Sequence, residues 1–320
     1  MVNVVLVTFN RKKCLEVLLE ALTKQTEAIS RVFIYDNNSN DGTEKMLKDK
    51  GYISYDELVK DTWFNTHTSK FDVLYIKSSV NSGGSGGFSK VIEKSLEYEC
   101  DYLWIMDDDV QPEQNCLEIL CKGMSEGIHA CIPNRTDEYF EDNVWVEFDL
   151  KRMIAPGLTS TRKTKIVHPL QKDNYLVKDF PFEGPLIRFE TVKKIGPSNA
   201  SYFIICDDTD YAMQVQKYGK ISFMTNATLH RQLAKFDNYS KDKRERLNWK
   251  DYYALRNYII FIKKYGEKWG TRKFNSIFNL VYWNFRAIKS GSLHNIKVIN
   301  KAIIDGILNR TGKTVNLGSL

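Results

Sequence analysis

Tyr102-Leu103-Trp104-Ile105-Met106-Asp107-Asp108-Asp109 is the stretch from which the fold can be read. Five apolar residues form a short buried strand, and three adjacent carboxylates follow at its carboxyl end. Ionised neighbours of this kind repel one another and call for a counter-charge. A divalent cation such as Mn²⁺ or Mg²⁺, taking hard oxygens from carboxylates and a diphosphate together, supplies one. Strand alternation puts Asp107 and Asp109 on one side and Asp108 on the other, so the first two are the metal candidates. The plainer alternative is a solvated acidic turn capping a helix that starts near Pro112.

Working outward, apolar runs at 2–9, 31–35, 72–76 and 101–106 alternate with helical patterns at 11–25, 43–50, 86–99 and 113–123, and a further strand is expected at 129–132. This alternation predicts an α/β fold with a doubly wound, mostly parallel sheet, Rossmann-like in its first half. Ligands of such sheets bind beyond the carboxyl ends of the strands. The polar, unusual residues cluster there: Thr8-Phe9-Asn10-Arg11, Asp36-Asn37-Asn38-Ser39-Asn40-Asp41-Gly42, Asn81-Ser82-Gly83-Gly84-Ser85-Gly86-Gly87 and the three aspartates. The glycine-rich loop matches neither the P-loop nor the dinucleotide-binding spacing, and both a tight turn and a phosphate cradle at a helix N-terminus fit it.

Further on, residues 51–71 read as an insertion, and 134–180 as a polar excursion of hairpins or loops. Cys206-Asp207-Asp208-Thr209-Asp210 opens a helix that ends near Gly219. One aspartate suffices to cap a helix, so three in four positions leave room for a general base. His230 follows a strand-like run at 221–224 and reads either as a structural imidazole or as a metal ligand. From about 245 the pattern is mostly helical.

The 320 residues are 42% apolar and 27% charged, an ordinary globular balance, and 46 basic against 40 acidic residues leave a net charge of +6. That excess is too small and too dispersed for nucleic acid, but suits anionic diphosphates or an acidic membrane surface. Six cysteines without a CxxC pair read as buried free thiols in a reducing cytoplasm. The start, MVNVVLVTFNRKK, has apolar residues before its charges, the reverse of a signal peptide, and no apolar run reaches the roughly 18 residues of a membrane span. The expected location is cytoplasmic, peripheral on the inner face of the plasma membrane.

The ordered series Val7-Thr8-Phe9-Asn10-Arg11, Asp36-Asn37-Asn38-Ser39-Asn40-Asp41-Gly42-Thr43, Asn81-Ser82-Gly83-Gly84 and Asp107-Asp108-Asp109 resembles family-two glycosyltransferases of the GT-A fold. With the later acidic pair and His230 it is most similar to bacterial galactofuranosyltransferases and rhamnosyltransferases, over about residues 1–260. The resemblance implies a GT-A catalytic domain at 1–245, with a nucleotide-sugar half (1–135) and an acceptor half (136–245), then a helical region at 246–320. It implies donor contacts from Thr8, Phe9, Arg11, Asp36, Asn81, Gly84, Asp107 and Asp108, with Asp36 reading the uridine. It implies a metal held by Asp107, Asp109 and His230, a catalytic base at Asp208, and acceptor contacts from Glu183, Gly184 and Asp207. Lys250-Asp251-Tyr252-Tyr253-Ala254-Leu255-Arg256-Asn257 also resembles a segment that follows the catalytic core in these enzymes. The large flanking domains of the polymerising galactan enzymes are missing, which favours a single-linkage transferase.

The activity so implied is inverting, metal-dependent transfer of galactofuranose from UDP-galactofuranose to a hydroxyl of a lipid-diphosphate-linked cell-surface polysaccharide. Rhamnose from dTDP-rhamnose is the alternative. A sugar-nucleotide nucleotidyltransferase would carry a Gly-rich, basic signature where this chain has Thr8-Phe9-Asn10-Arg11, and a non-catalytic glycan-binding protein needs no base. At 268–289, apolar residues at helical spacing lie among basic ones. The segment reads either as a helix packed on the catalytic domain or a second subunit, or as one resting on an anionic membrane. Self-association stays open.

Overall fold

The computed structural model describes residues 1–137, 140–233 and 246–315. Its first half interleaves strands β1 (Val2–Thr8), β2 (Ile29–Asp36), β3 (Phe64–His67), β4 (Asp72–Lys77) and β5 (Tyr102–Asp107) with helices α1 (Lys12–Thr23), α2 (Thr43–Asp49) and α3 (Gly83–Ser95). The chain continues through β6 (Val110–Pro112), α4 (Cys116–Lys122), β7 (Ile128–Asp137), β8 (Phe140–Glu141), β9 (Trp145–Phe148), β10 (Arg162–Lys165), β11 (Asn174–Val177) and β12 (Leu186–Arg188). Then come α5 (Phe189–Ile195), α6 (Asp207–Val215) and β13 (Lys220–Arg231), and last α7 (Trp249–Tyr265), α8 (Trp269–Lys289) and α9 (Leu293–Ile307).

The main sheet runs β11-β13-β7-β12-β5-β1-β2-β4-β3. The pairs β5-β1, β1-β2, β2-β4 and β7-β13 are parallel, as the alternating pattern predicts. The sheet is nonetheless mixed. β12 lies antiparallel between β5 and β7, and β3, out of the expected insertion at 51–71, pairs antiparallel with β4. Alternation along the central strands feeds two cores. Val4, Leu6, Trp104 and Met106 pack toward α1 and α4, while Val5, Val7, Leu103 and Ile105 pack toward α3 and α6. Asp107 continues this second parity and so emerges on the α3/α6 side.

The excursion at 134–180 includes an antiparallel pair, β9-β10, with Arg162 opposite Phe148. α7 starts at a capping box in which Asn248 and Asp251 bond reciprocally, and α7, α8 and α9 share a core built on Tyr258, Ile259, Phe261, Ile262, Ala287, Ile299 and Ile303. The boundary expected at 245/246 lies outside the described residues, as do 138–139 and 234–245 of the acceptor half and 316–320 of the helical region.

Candidate active site

A cleft of about 500 Å³ opens where the loops after β1, β2, β4 and β5 meet the start of α6. Phe9, Arg11, Asn81, Gly84, Asp107, Asp108, Glu183, Asp207 and Asp208 all line it, so the structure brings together residues spread over two hundred positions. The loops are stitched to one another by their own polar groups. The Asp41 carboxylate accepts the Lys12 N–H at 2.9 Å, and Ser39 Oγ accepts the Asn10 N–H at 3.0 Å.

The strand ends at Asp107, and the next two residues turn. The expected alternation therefore stops there. Asp107 and Asp108 face the cleft, while Asp109 shares the Arg11 guanidinium with Asp108, Nη1 lying 2.9 Å from Asp108 and 2.8 Å from Asp109. Burial pushes Asp108 up to about 6 against the opposing pull of Arg11. Asp107 is raised well above the carboxylate range by burial, and then by Asp109, Glu183 and Asp108. Among the described residues no cation lies within ion-pair distance of Asp107.

Three expected contact residues, Asp36, Thr8 and Gly184, do not line the cleft. Asp36 is fully buried and accepts the Tyr75 hydroxyl (2.9 Å) and the Ser39 N–H (2.7 Å), so it shapes its loop while Asn37 beside it lines the cleft. Thr8 is buried behind the cleft; its carbonyl accepts the Asn37 N–H at 2.8 Å. Gly184 is a packing residue at φ +93, where an added Cβ would stand 2.8 Å from Pro133, and its carbonyl accepts the Trp104 indole N–H at 2.9 Å. The glycine-rich loop also resolves into parts. Gly83, at φ +77, lets the start of α3 press against the Phe203 carbonyl, whereas Gly84 has open space beside it and borders the cleft.

His230 is not brought to the carboxylates. On β13 the side chains alternate, so Arg231 reaches Glu183 at 2.9 Å while the His230 ring turns to the other face and meets Glu113 at 3.1 Å. Glu183 is held by Arg231 and by Arg135 (3.1 Å), which makes it a neutralised wall of the cleft.

The opposite wall is the N-terminus of α6. Asp207 is pushed up to about 6, chiefly by burial. Asp208 is pushed up to about 8 by burial and then by the carboxylates of Asp207 and Asp179. Asp210, the third acid, points away and pairs with Lys264 of α7 at 2.7 Å. The approach to α6 is strained, with Phe203, Ile205 and Cys206 at φ 66, 67 and 75. Such angles cost on the order of 1–3 kcal/mol each and persist only where surroundings impose them. The Asn257 amide does so, donating to the carbonyls of Tyr202 (3.1 Å), Ile204 (2.6 Å) and Ile205 (2.8 Å), and buried Arg256 donates to Tyr202 O at 2.8 Å. Both residues belong to the segment after the catalytic core whose pattern the sequence displays without saying what it holds.

A second recess of about 250 Å³ meets the first at Asp208 and Glu183, and is lined by Trp145, Arg162 and Asp179 among others. Arg162 Nη2 pairs with Asp179 at 2.5 Å, leaving the buried Asp179 Oδ1 and Arg162 Nε without a bonding partner among the described residues. No local pattern marks these positions; Arg162 and Asp179 lie 17 residues apart and meet only through the fold.

The family model for Glycosyl transferase family 2 matches residues 3–196. Abequosyltransferase RfbV of Salmonella typhimurium is 31% identical over 115 residues, which are 35% of this chain and 29% of that protein. Galactofuranosyltransferase GlfT1 of Mycolicibacterium smegmatis is 21% identical over 220 residues, 67% of this chain and 65% of that one. The chain thus spans less than two thirds of either relative's length. A solved mannosyltransferase from Pyrobaculum calidifontis, PcManGT in complex with GDP-Man and Mn²⁺, superposes with a TM-score of 0.56 at 12% identity, covering 97% of this chain and 87% of that one. At that identity the likeness is one of fold.

Proposed function

Because the chain belongs to glycosyl transferase family 2, we propose that it transfers a sugar with inversion and with a divalent cation, most specifically galactofuranose from UDP-galactofuranose, to a hydroxyl of a growing cell-surface polysaccharide. The observation that carries this reading is Asp208, a carboxylate tuned to about 8 where the two recesses meet. A base works best with a pKa near the operating pH. The donor is assigned to the larger recess, with Phe9, Arg11, Asn37, Asn81 and Gly84 around the nucleotide and its diphosphate. The acceptor is assigned to the smaller one, where Trp145 offers an aromatic face and Asp179 and Arg162 offer polar groups to sugar hydroxyls.

In this arrangement Asp208 takes the proton of the acceptor hydroxyl as its oxygen attacks the anomeric carbon and the nucleoside diphosphate departs. A single displacement inverts that carbon. Arg11 adds positive charge on the leaving-group side, and Glu183, fixed by two arginines, keeps the wall between the recesses rigid. Asp107, which lines the cleft, and Asp109, on release from its 2.8 Å ion pair with Arg11, are the proposed carboxylate ligands of Mn²⁺ or Mg²⁺. The fit rests on Asp107, buried among acids with no cation within ion-pair distance among the described residues, and on a donor set of hard oxygens. Among the described residues no three metal-binding side chains converge, which suits a cation that completes its shell with diphosphate and water. When bound, such an ion neutralises charge developing on the leaving diphosphate.

The acceptor is proposed to be carried on a lipid diphosphate at the cytoplasmic face of the membrane. The 31% identity to an abequosyltransferase over 115 residues supports another donor sugar as a second reading; the alternative that the sequence resemblance implies is rhamnose from dTDP-rhamnose. Thermal unfolding scans against a panel of nucleotide sugars, with and without Mn²⁺, test the proposal. Metal-dependent protection by UDP-galactofuranose is expected. Protection by dTDP-rhamnose alone would move the donor to the second reading, and protection by none would sink both.

A further inference from the structure

Helix α8 turns polar side chains inward along its first half and joins the apolar core through Leu280, Trp283 and Ala287 further on. The inward polar groups bond to backbone: Thr271 Oγ1 donates to Lys151 O (2.7 Å), Asn275 to Met153 O (2.8 Å) and Ala155 O (3.1 Å), and Asn279 to Ala155 O (3.1 Å). Its outward stripe is apolar. Phe274, Ile277, Val281, Phe285 and Ile288, spaced by three and four residues, are 44%, 53%, 65%, 67% and 65% exposed. One exposed apolar residue means little, but five in a single row, with the polar row bonded inward, mark a face that meets something other than water. Trp269 extends the row at its start, and exposed Met153 borders Gly270, whose added Cβ would lie 3.5 Å from the Met153 sulfur.

The charge around this face selects its occupant. Between Glu267 and Asp305 the chain has no acidic residue, and it carries basic ones that include Lys268, Arg272, Lys273, Arg286 and Lys289. A two-fold contact with a second copy would bring the same basic groups against themselves. An anionic bilayer complements them, and basic flanks with an aromatic-rich apolar face are what an interfacial helix needs. Among the described residues no helix is long and apolar enough to cross a membrane, so the helix would lie along the surface.

We infer that α8 docks this protein on an anionic lipid bilayer, with Phe274, Ile277, Val281, Phe285 and Ile288 entering the headgroup–acyl boundary and the neighbouring lysines and arginines meeting lipid phosphates. Lipid binding itself stands on the helix alone. Its use in meeting a lipid-carried acceptor rests on the function proposed above.

The test is co-sedimentation of the full chain with vesicles of phosphatidylglycerol and phosphatidylcholine, beside vesicles of phosphatidylcholine only. Wild type should bind the anionic vesicles, and more weakly at high salt. The double variant Val281→Asp/Phe285→Asp should lose at least about tenfold in partitioning, as expected for withdrawing two large apolar side chains from a nonpolar phase. Lys273→Gln/Lys289→Gln, which keeps the apolar row, should reduce binding to the anionic vesicles only. Vesicle-free turnover of the donor should be unchanged in both variants. Its failure in wild type would count against the proposed reaction and not against docking. Wild type that ignores anionic vesicles, or an aspartate variant that binds them as well as wild type, overturns the inference. A wild-type dimer in light scattering that the aspartate variant dissolves, with no vesicle binding, would reassign the face to self-association.

Discussion

The cleft is built from two aspartate clusters a hundred residues apart, and they manage charge in opposite ways. Asp107, Asp108 and Asp109 end a strand, and the single guanidinium of Arg11 serves two of them while Asp107 is left among acids. Asp207, Asp208 and Asp210 begin a helix, where one acid is tied off by Lys264 and the other two are pushed up by burial. The first cluster has a charge deficit that a cation can fill. The second has a carboxylate, Asp208, pushed up to about 8 by burial and by neighbouring acids. In the proposed reaction the same residue type thus takes two roles, set by what surrounds it.

Four experiments break or sharpen this contrast. The largest effect is expected of Asp208→Asn, which should lower transfer by about 10²–10⁴-fold, the usual worth of a positioned base, with donor affinity within about threefold. Steady-state kinetics with donor-binding calorimetry checks it, and wild-type turnover would end the assignment of the base. Next, Asp107→Asn should weaken divalent-cation affinity by at least about tenfold, the lower range for loss of support at a metal site. The same variant should melt higher than wild type in EDTA, because a buried, repelled carboxylate has been removed; a lower melting point would contradict the picture of stored repulsion. Asn257→Ala should lower kcat by roughly tenfold or more with KM for the donor little changed, since a base displaced by about an ångström loses most of its advantage. If KM alone moves, the amide is not positioning the base.

The smallest effect is on pH. Asp208 is raised above its unfolded value, so the folded chain holds more protons, and its contribution to stability is full below about pH 4 and is lost as pH rises through about 8. Activity should run the other way, with kcat climbing as Asp208 ionises toward about 8. Parallel melting and rate profiles check the opposition, and Asp208→Asn should flatten the melting profile in that window.

Much of this is legible in the sequence alone. Periods of two and 3.6 mark the central strands and helices, and the rule that ligands gather beyond strand ends drew Phe9, Arg11, Asn81, Gly84 and Asp108 into one place. What local pattern could not carry was the direction of a side chain whose partner is distant in sequence. Asp36 looks available until Tyr75 is seen on it, and His230 looks like a ligand until Glu113 is found on the other face of its strand. β12 escaped because a three-residue strand leaves no period, and its antiparallel seat depends on β5 and β7 already being in place. The apolar spacing of α8 is plain in the sequence, yet its longest apolar row, Phe274 to Ile288, faces outward while Leu280, Trp283 and Ala287 face the core. Thr271, Asn275 and Asn279 can bond backbone carbonyls at 151–155, so these polar side chains are among those the fold buries.

The strained turn held by Asn257 gives the enzyme two different limits on heating. The sheet and its two cores do not depend on that amide, but the left-handed backbone at Phe203, Ile205 and Cys206 does. Stability within a protein is distributed, and local segments can open at a lower free energy than the whole. Warming should release the turn from α7 while the strands are still paired. Transfer should then fade at a lower temperature than the far-ultraviolet dichroism, and donor binding should outlast it. The upper working temperature would be set by the grip of one side-chain amide, well before the sheet gives way.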